Sequence, residues 1–379
     1  MKKKLLIFLG LFLFFSFPAL AKVKSKDIFI PKHFYTENIE VCSFVGNESF
    51  KSKYTKSRIE SLVNLDWMSE WAKGNSRSVN HENLTGPMTL FAVTAHTAIG
   101  NNDINEINLA KEILIKMAKS NILFDTISRK ELKEKPRCWK DGNPEAPCWY
   151  HAYEFARDAF TNYLIIAIYL KEYLNKKELK IVSKYVKKMH KKFIKPHEFI
   201  VDDKGFYAMG NGGIPNLVYS NWTNDKKLAA KEFNFRFKNI EKIFNEDGYI
   251  NNNSFRGYRG LWYHSYGLNS ALGYLYLAKL WGAKIPETVM KKVTKAAEVL
   301  NLGIKDYEKF SSRKYDGDQL NNNYKKKNAR MHTHQNAIAI DTLIKLVTGV
   351  ILENDPIYLR KRKKKGIDDL VGFNANCIK

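Results

Sequence analysis

An all-α fold is predicted for this 379-residue chain from three observations. Apolar residues recur at three- and four-residue intervals over 57–73, 87–100, 105–120, 151–174, 177–193, 213–222, 226–244, 262–276, 286–301 and 332–350. That spacing gives each segment one apolar helical face. Strand-like alternation is rare. The third observation is the punctuation. Gly100-Asn101-Asn102-Asp103, Asp203-Lys204-Gly205, Asn224-Asp225 and Asp247-Gly248 are short turn and cap sequences between successive helices.

The elements are justified in chain order. Lys2, Lys3 and Lys4 precede an apolar run from Leu5 to Phe17, and small residues lead to a cut after Ala21. Residues 1–21 therefore read as a secretory signal peptide, which implies a periplasmic or secreted protein. The run is shorter than a membrane span needs, and no later run approaches ~20 apolar residues. No stable membrane insertion is expected once the signal is cleaved. Residues 22–379 are expected to form a single domain acting as a monomer. Between its helices, the longer polar linkers at 74–86, 126–149 and 309–331 are natural places for a substrate rim.

Four cysteines lie outside the leader: Cys42, Cys138, Cys148 and Cys377. An even count in an exported chain favours disulfides over thiolate chemistry. Cys138 and Cys148 bracket a short turn-rich loop, so their pairing is the simplest, leaving Cys42 and Cys377 to clasp the two ends. The spacing does not resemble a zinc knuckle.

Lysine and arginine number 63 against 39 acids, a net charge of +24. Such a surface attracts anionic polymers. For an exported protein these are acidic polysaccharide, lipopolysaccharide or a membrane surface sooner than nucleic acid. Much of the charge lies on helix surfaces, as at Lys187, Lys188, Lys191 and Lys192, and in the basic run from Arg360. A solvated, lysine-biased surface explains the same count. No glycine-rich phosphate loop, nucleotide-binding signature or serine elbow is found, and no cofactor or nucleic acid is expected.

The heads of three helical segments resemble one another. "CWYHAYEFARDAFTNYL" from Cys148 parallels "LWYHSYGLNSALGYLYL" from Leu261, and a third begins "HTHQNAIAIDTLIKL" at His332. Helices that all open on polar aromatic groups project them toward one end of a bundle. An α/α toroid, an incomplete barrel of helical hairpins whose inner helices feed a common cleft, meets that demand better than an elongated solenoid.

The richest stretch is "NNNSFRGYRGLWYHSYGLNSALGYLYLAKLWG" from Asn251. If the helix runs through Gly257 and Gly260, then Arg256, Arg259, Tyr263 and Tyr266 share one face. If it starts near Leu261, the arginines come from the preceding loop. Either geometry sets guanidinium beside phenol. Arginine grips a sugar carboxylate with two parallel hydrogen bonds, and a nearby cation lowers the cost of using a tyrosine as a base. A purely structural role, with tyrosines at the core's rim and arginines packed over them, is the alternative.

Over Asp247 to Ile285 the chain resembles secreted, mannuronate-cleaving alginate lyases with an α/α-toroid fold. Their corresponding segment has an Asp-Gly turn, an Arg-Gly-x-Arg pair, a Tyr-His and a further aromatic residue leading into an apolar helix. The resemblance implies that Arg259 binds the substrate carboxylate and Tyr266 acts in the elimination. Tyr263 and His264 match the family's Tyr-His pair, and Arg256 its outer arginine. Trp262, Tyr150 and Asn269 are taken with Arg256 and Tyr263 as substrate-binding candidates. The family's other catalytic half, an adjacent Asn-His, has no match here. The segment "GFYAMGNGGIPNLVYSNWTNDKKLA" from Gly205 carries Asn211, Asn216 and Asn221 but no histidine. Asn211, beside two glycines, is the substitute for the amide that neutralises the carboxylate.

β-Elimination of a uronate glycoside sets its own requirements. The carboxylate must be neutralised, a base must reach the C5 proton, and an acid must protonate the leaving O4. One tyrosine does both when proton and leaving group share a face. Tyr266 is the main candidate, with His264 and His151 as alternative bases; His264 equally suits a buttress for Tyr266.

Other constellations are weaker. His332 and His334 lie about 200° apart if helical, and on a strand or loop they make half a metal site; no metal is expected. His81 and His96 sit near the ends of one helical segment. Glu154, Asp158 and Asp247 are the carboxylates a toroidal glycosidase would use, with Arg157 read as an ion-pair partner on the helix surface.

Overall fold

A computed structural model describes residues 22–36, 49–73, 81–132, 149–197, 205–206, 213–256, 260–313, 337–352, 367–368 and 373–374. The all-α class holds. The principal helices are α1 (Lys53–Glu60), α2 (Trp67–Lys73), α3 (Gly86–Gly100), α4 (Ile104–Ser120), α5 (Trp149–Leu170) and α6 (Lys176–Met189). They continue as α7 (Gly213–Thr223), α8 (Lys226–Ile243), α9 (Gly260–Leu280), α10 (Glu287–Lys305) and α11 (Ala337–Thr348). Among the described residues the extended structure is a two-residue antiparallel ladder, Ile367–Asp368 against Phe373–Asn374, and two isolated bridges.

Local chemistry accounts for the boundaries. Asp103 caps α4 by accepting from Glu106 N at 3.2 Å, and Asn121 closes that helix in the left-handed region. Asn175 and Glu178 form a reciprocal capping box at the start of α6. Asp225 accepts from Lys227 N and Leu228 N to start α8. The segment expected as one helix over 57–73 is two. Residues Ser61–Asn64 tighten into a 3₁₀ turn, and Asp66 restarts the helix by accepting from Ser69 N at 3.0 Å.

Helices pack in pairs along the chain, α3 with α4, α5 with α6, α7 with α8 and α9 with α10. First members also meet one another, α3 with α5, α5 with α7 and α9 with α11. Second members do likewise, α4 with α6 and α8 with α10. The first members are the apolar ones. In α9 the buried residues, among them Leu268, Ser270, Gly273 and Tyr274, lie on several faces, whereas α6 keeps one buried stripe of Val182, Tyr185, Val186 and Met189.

The N-terminal strap, residues 22–36, ties one end of this arrangement. Val23 exchanges two hydrogen bonds with the Asn234 side chain of α8, both 2.9 Å. Phe29 N donates to Trp281 O, Asn221 of α7 donates to Pro31 O, and Tyr276 of α9 donates to Tyr35 O. His33 lies against Tyr169 of α5, which stacks on His96 of α3 at 4.6 Å. The strap therefore gathers the C-terminal parts of α3, α5, α7 and α9. These four run in one direction, and their N-termini lie at the opposite end from the strap.

All four cysteines lie outside the described residues, and among the described residues no disulfide is present. The expected stapling by disulfides is corrected accordingly: buried apolar packing and the strap hold the described fold. No helix among the described residues is long and apolar enough to cross a membrane.

Candidate functional site

The site is built from a tight reversal of the chain. Gly248 takes φ +88°, and a Cβ there would lie 2.5 Å from the Lys295 carbonyl oxygen, so both backbone conformation and close approach require glycine. A single helical turn, Asn251–Ser254, follows. The chain then returns so that α9 begins against that turn; a Cβ on Gly260 would sit 2.3 Å from the Ser254 carbonyl oxygen.

Three buried polar side chains lock this reversal. Asn253 Oδ1 accepts from Phe206 N at 2.9 Å, while its amide nitrogen donates to Tyr263 O at 3.0 Å. Ser254 Oγ accepts from Ile250 N at 2.7 Å and lies 2.8 Å from His264 Nδ1. His264 Nε2 lies 2.9 Å from Ala296 O. A carbonyl only accepts, so Nε2 carries the proton and Nδ1 accepts from the serine hydroxyl. Burial lowers the imidazole from 6.5 to about 4, partly offset by the bond to Ala296 O. His264 is thus a neutral, wholly buried tie between α9 and α10. Both of its ring nitrogens are committed and the ring is wholly buried, which leaves no ring nitrogen facing solvent to act as a base.

The side chains that do reach the surface form one patch. The Arg256 guanidinium carbon lies 4.2 Å from the centroid of the Tyr263 ring, and the Trp262 and Tyr263 rings are 4.6 Å apart. Arg256, Trp262, Tyr263 and Tyr266 are all half-buried. Tyr266 follows Tyr263 by three residues and shares its side of α9. Arg256 Nε is buried without a hydrogen-bond partner among the described residues. The helix begins at Gly260, so Arg256 comes from the preceding reversal and not from α9 itself. Asn269, 1 % exposed, lies in the interior and does not join the patch.

Other expected site residues fall elsewhere. Arg259, Asn211, His332 and His334 lie outside the described residues. Tyr150 and His151 belong to the first turn of α5, but their side chains lie outside the described residues. Asp247 pairs with Arg313 at 2.7 Å. Among the described residues no group of three or more His, Cys, Asp or Glu side chains could hold a metal ion.

Several consequential residues were not singled out in the sequence. Asn253 and Ser254 stand inside the Asn-Asn-Asn-Ser run before the arginines, and a polar run leading into an apolar helix was the available signal. Arg157 was read as a surface ion-pair partner and is corrected: it is 1 % exposed, its Nε 3.8 Å from Asp158 Oδ1. Burial of Glu232 and Arg236, both wholly enclosed with Oε1 and Nη2 3.6 Å apart, was equally unforeseen. Asn216 donates to Glu232 Oε2 at 2.9 Å and so belongs to that interior network.

No protein-family model, curated protein or solved structure matches this chain. The likeness to alginate lyases over Asp247–Ile285 therefore stands as a resemblance that no family match supports, and the class the structure shows is an all-α fold.

Proposed function

We propose that this protein cleaves a uronate-bearing acidic polysaccharide by β-elimination, in a cleft at the N-terminal ends of the first-member helices of an α/α toroid. The observation that carries this reading is the half-buried patch at the head of α9. It sets the Arg256 guanidinium 4.2 Å over Tyr263, on the side where Tyr266 follows. A half-buried cation beside aromatic rings suits a carboxylated sugar, which presents an anion and an apolar ring face together.

In this reading Arg259 and Asn211 neutralise the carboxylate, so that the C5 proton becomes acidic enough to remove. Tyr266 takes that proton and returns one to the leaving O4. The C4–O4 bond breaks, a C4–C5 double bond forms, and the new non-reducing end is an unsaturated uronate. Trp262 and Tyr263 provide the surface on which the sugar stacks, with Tyr150 at the head of α5 as a further candidate. With His264 neutral and enclosed, His151 is the remaining histidine candidate for the base. The toroid is supported by the paired packing of first and second members and by the strap, which leaves the heads of α3, α5, α7 and α9 at the same end. The leader supports export to the periplasm or beyond.

The test is incubation of the purified protein with polymannuronate, polyguluronate and polyglucuronate, with and without chelator. Conjugated double bonds are followed by ultraviolet absorbance and reducing ends by colorimetry. Absorbance gain that Tyr266→Phe abolishes is expected. Reducing ends without absorbance would make the protein a hydrolase. Binding with neither signal would make it a non-catalytic polysaccharide-binding protein on the same scaffold, the reading that the enclosure of His264 favours second.

A further inference from the structure

A lysine-lined groove lies on α4, α6 and the loop that follows α4. A groove of about 960 Å³ is lined there by Lys119, Lys184, Lys187, Lys188, Lys191 and Lys192, with Phe124 and Tyr185 in its wall. Lys184, Lys187 and Lys191 are exposed and recur at three- and four-residue spacing along α6 and the π turn His190–Ile194. That makes a stripe roughly 10 Å long. Among the described residues Lys119, Lys184, Lys187 and Lys191 have no acidic partner. The carboxylates that act on the groove, Asp125 and Glu131, do so at Lys192.

The loop wall is fixed in place. Asn121 and Leu123 both adopt positive φ, and the Tyr185 hydroxyl donates to Ile122 O at 2.8 Å. Lys188 Nζ donates to Asn121 Oδ1 at 3.2 Å and lies 3.1 Å from the centre of the Phe124 ring. A cation therefore already covers the exposed aromatic ring, so it offers no platform for stacking a nucleobase.

We infer that this lysine groove is a secondary docking site for a linear anionic polysaccharide, holding the polymer by charge while other parts of the protein act on it. The inference does not require that the protein cut the chain. Repeated carboxylates along a polymer match a row of unpaired ammonium groups without demanding a fixed register, so binding is salt-sensitive and tolerant of sugar sequence.

The test compares two triple variants of the purified protein, each also carrying Tyr266→Phe so that no polymer is consumed. One is Lys184→Gln/Lys187→Gln/Lys191→Gln in the groove. The other is Lys226→Gln/Lys227→Gln/Lys238→Gln, an equal charge change at exposed positions of α8. Affinity is measured for polymannuronate, for vesicles of phosphatidylcholine with phosphatidylglycerol, and for single-stranded DNA. The groove variant is expected to lose roughly tenfold in polymannuronate affinity, the scale of three exposed ionic contacts, and the α8 variant less than about twofold. Equal losses in the two variants would overturn the inference in favour of general charge attraction. Tighter binding to vesicles or DNA, lost in the same groove variant, would assign the groove to that partner and overturn it as well. Cleavage is assayed separately in the protein with Tyr266 intact. Groove-dependent binding without any cleavage would leave this inference standing and refute the β-elimination proposal.

Discussion

His264 links the architecture of the α9 head to the pH dependence of stability. Its ring is enclosed, hydrogen-bonded through both nitrogens, and lowered to about 4 from an ordinary 6.5. Unfolding returns the imidazole to water, where it binds a proton below its ordinary value. Stability is therefore full above pH 6.5 and is lost as pH falls toward about 4, because the unfolded chain takes up the proton first. The gap corresponds to about 3 kcal/mol, of which about 2.5 kcal/mol is lost by pH ~4.5. His33 and His96, lowered to about 4 and about 3 chiefly by burial, add losses of the same sign. A difference measurement isolates His264. Urea unfolding of the wild type and of His264→Gln is compared at pH ~7.5 and ~4.5. The variant is less stable at the higher pH, since glutamine replaces the ring imperfectly, but it loses about 2–3 kcal/mol less on acidification. Equal acid losses, or an NMR titration of the folded-state His264 centred near its ordinary value, would refute the reasoning and return His264 to the candidate bases.

Three further outcomes follow from packing. Gly267→Ala would bring a Cβ to 2.6 Å from Asn253 Nδ2, whose hydrogen bonds hold the reversal, and about 1–3 kcal/mol is expected to be lost in chemical denaturation. Arg236→Met would strip the enclosed Glu232 of its cation, a loss of about 3–5 kcal/mol that the double variant Arg236→Met/Glu232→Leu should largely recover. Arg157→Met should leave thermal stability unchanged or raised, because Nε and Nη1 are buried without hydrogen bonds among the described residues; a fall in the melting temperature would reveal a stabilising role for the guanidinium.

Much of the helical organisation was legible, and the reasons are local. Three- and four-residue periodicity located α3 through α10 to within a few residues, because an amphipathic stripe is a property of the segment itself. Asp103 and Asp225 mark helix starts since a short polar side chain and the backbone it caps are neighbours in sequence. The break inside 57–73 was missed because Asp66 sits in an otherwise periodic run, where a cap and a solvent-facing polar residue look alike.

The candidate site divides along the same line. Sequence by itself determined that arginines, tyrosines and a histidine crowd the head of α9, and that Tyr263 and Tyr266 share a side, since helical spacing sets both. Tertiary structure decided which of them meet solvent. It drew His264 inward between Ser254 and Ala296, set Arg256 over Tyr263, and buried Arg157 although its sequence context reads as surface. Hydrogen bonds reaching from residue 253 to 206, from 264 to 296 and from 221 to 31 join positions far apart in the chain. Burial and proton affinity are set by such neighbours, which no periodicity within one helix encodes.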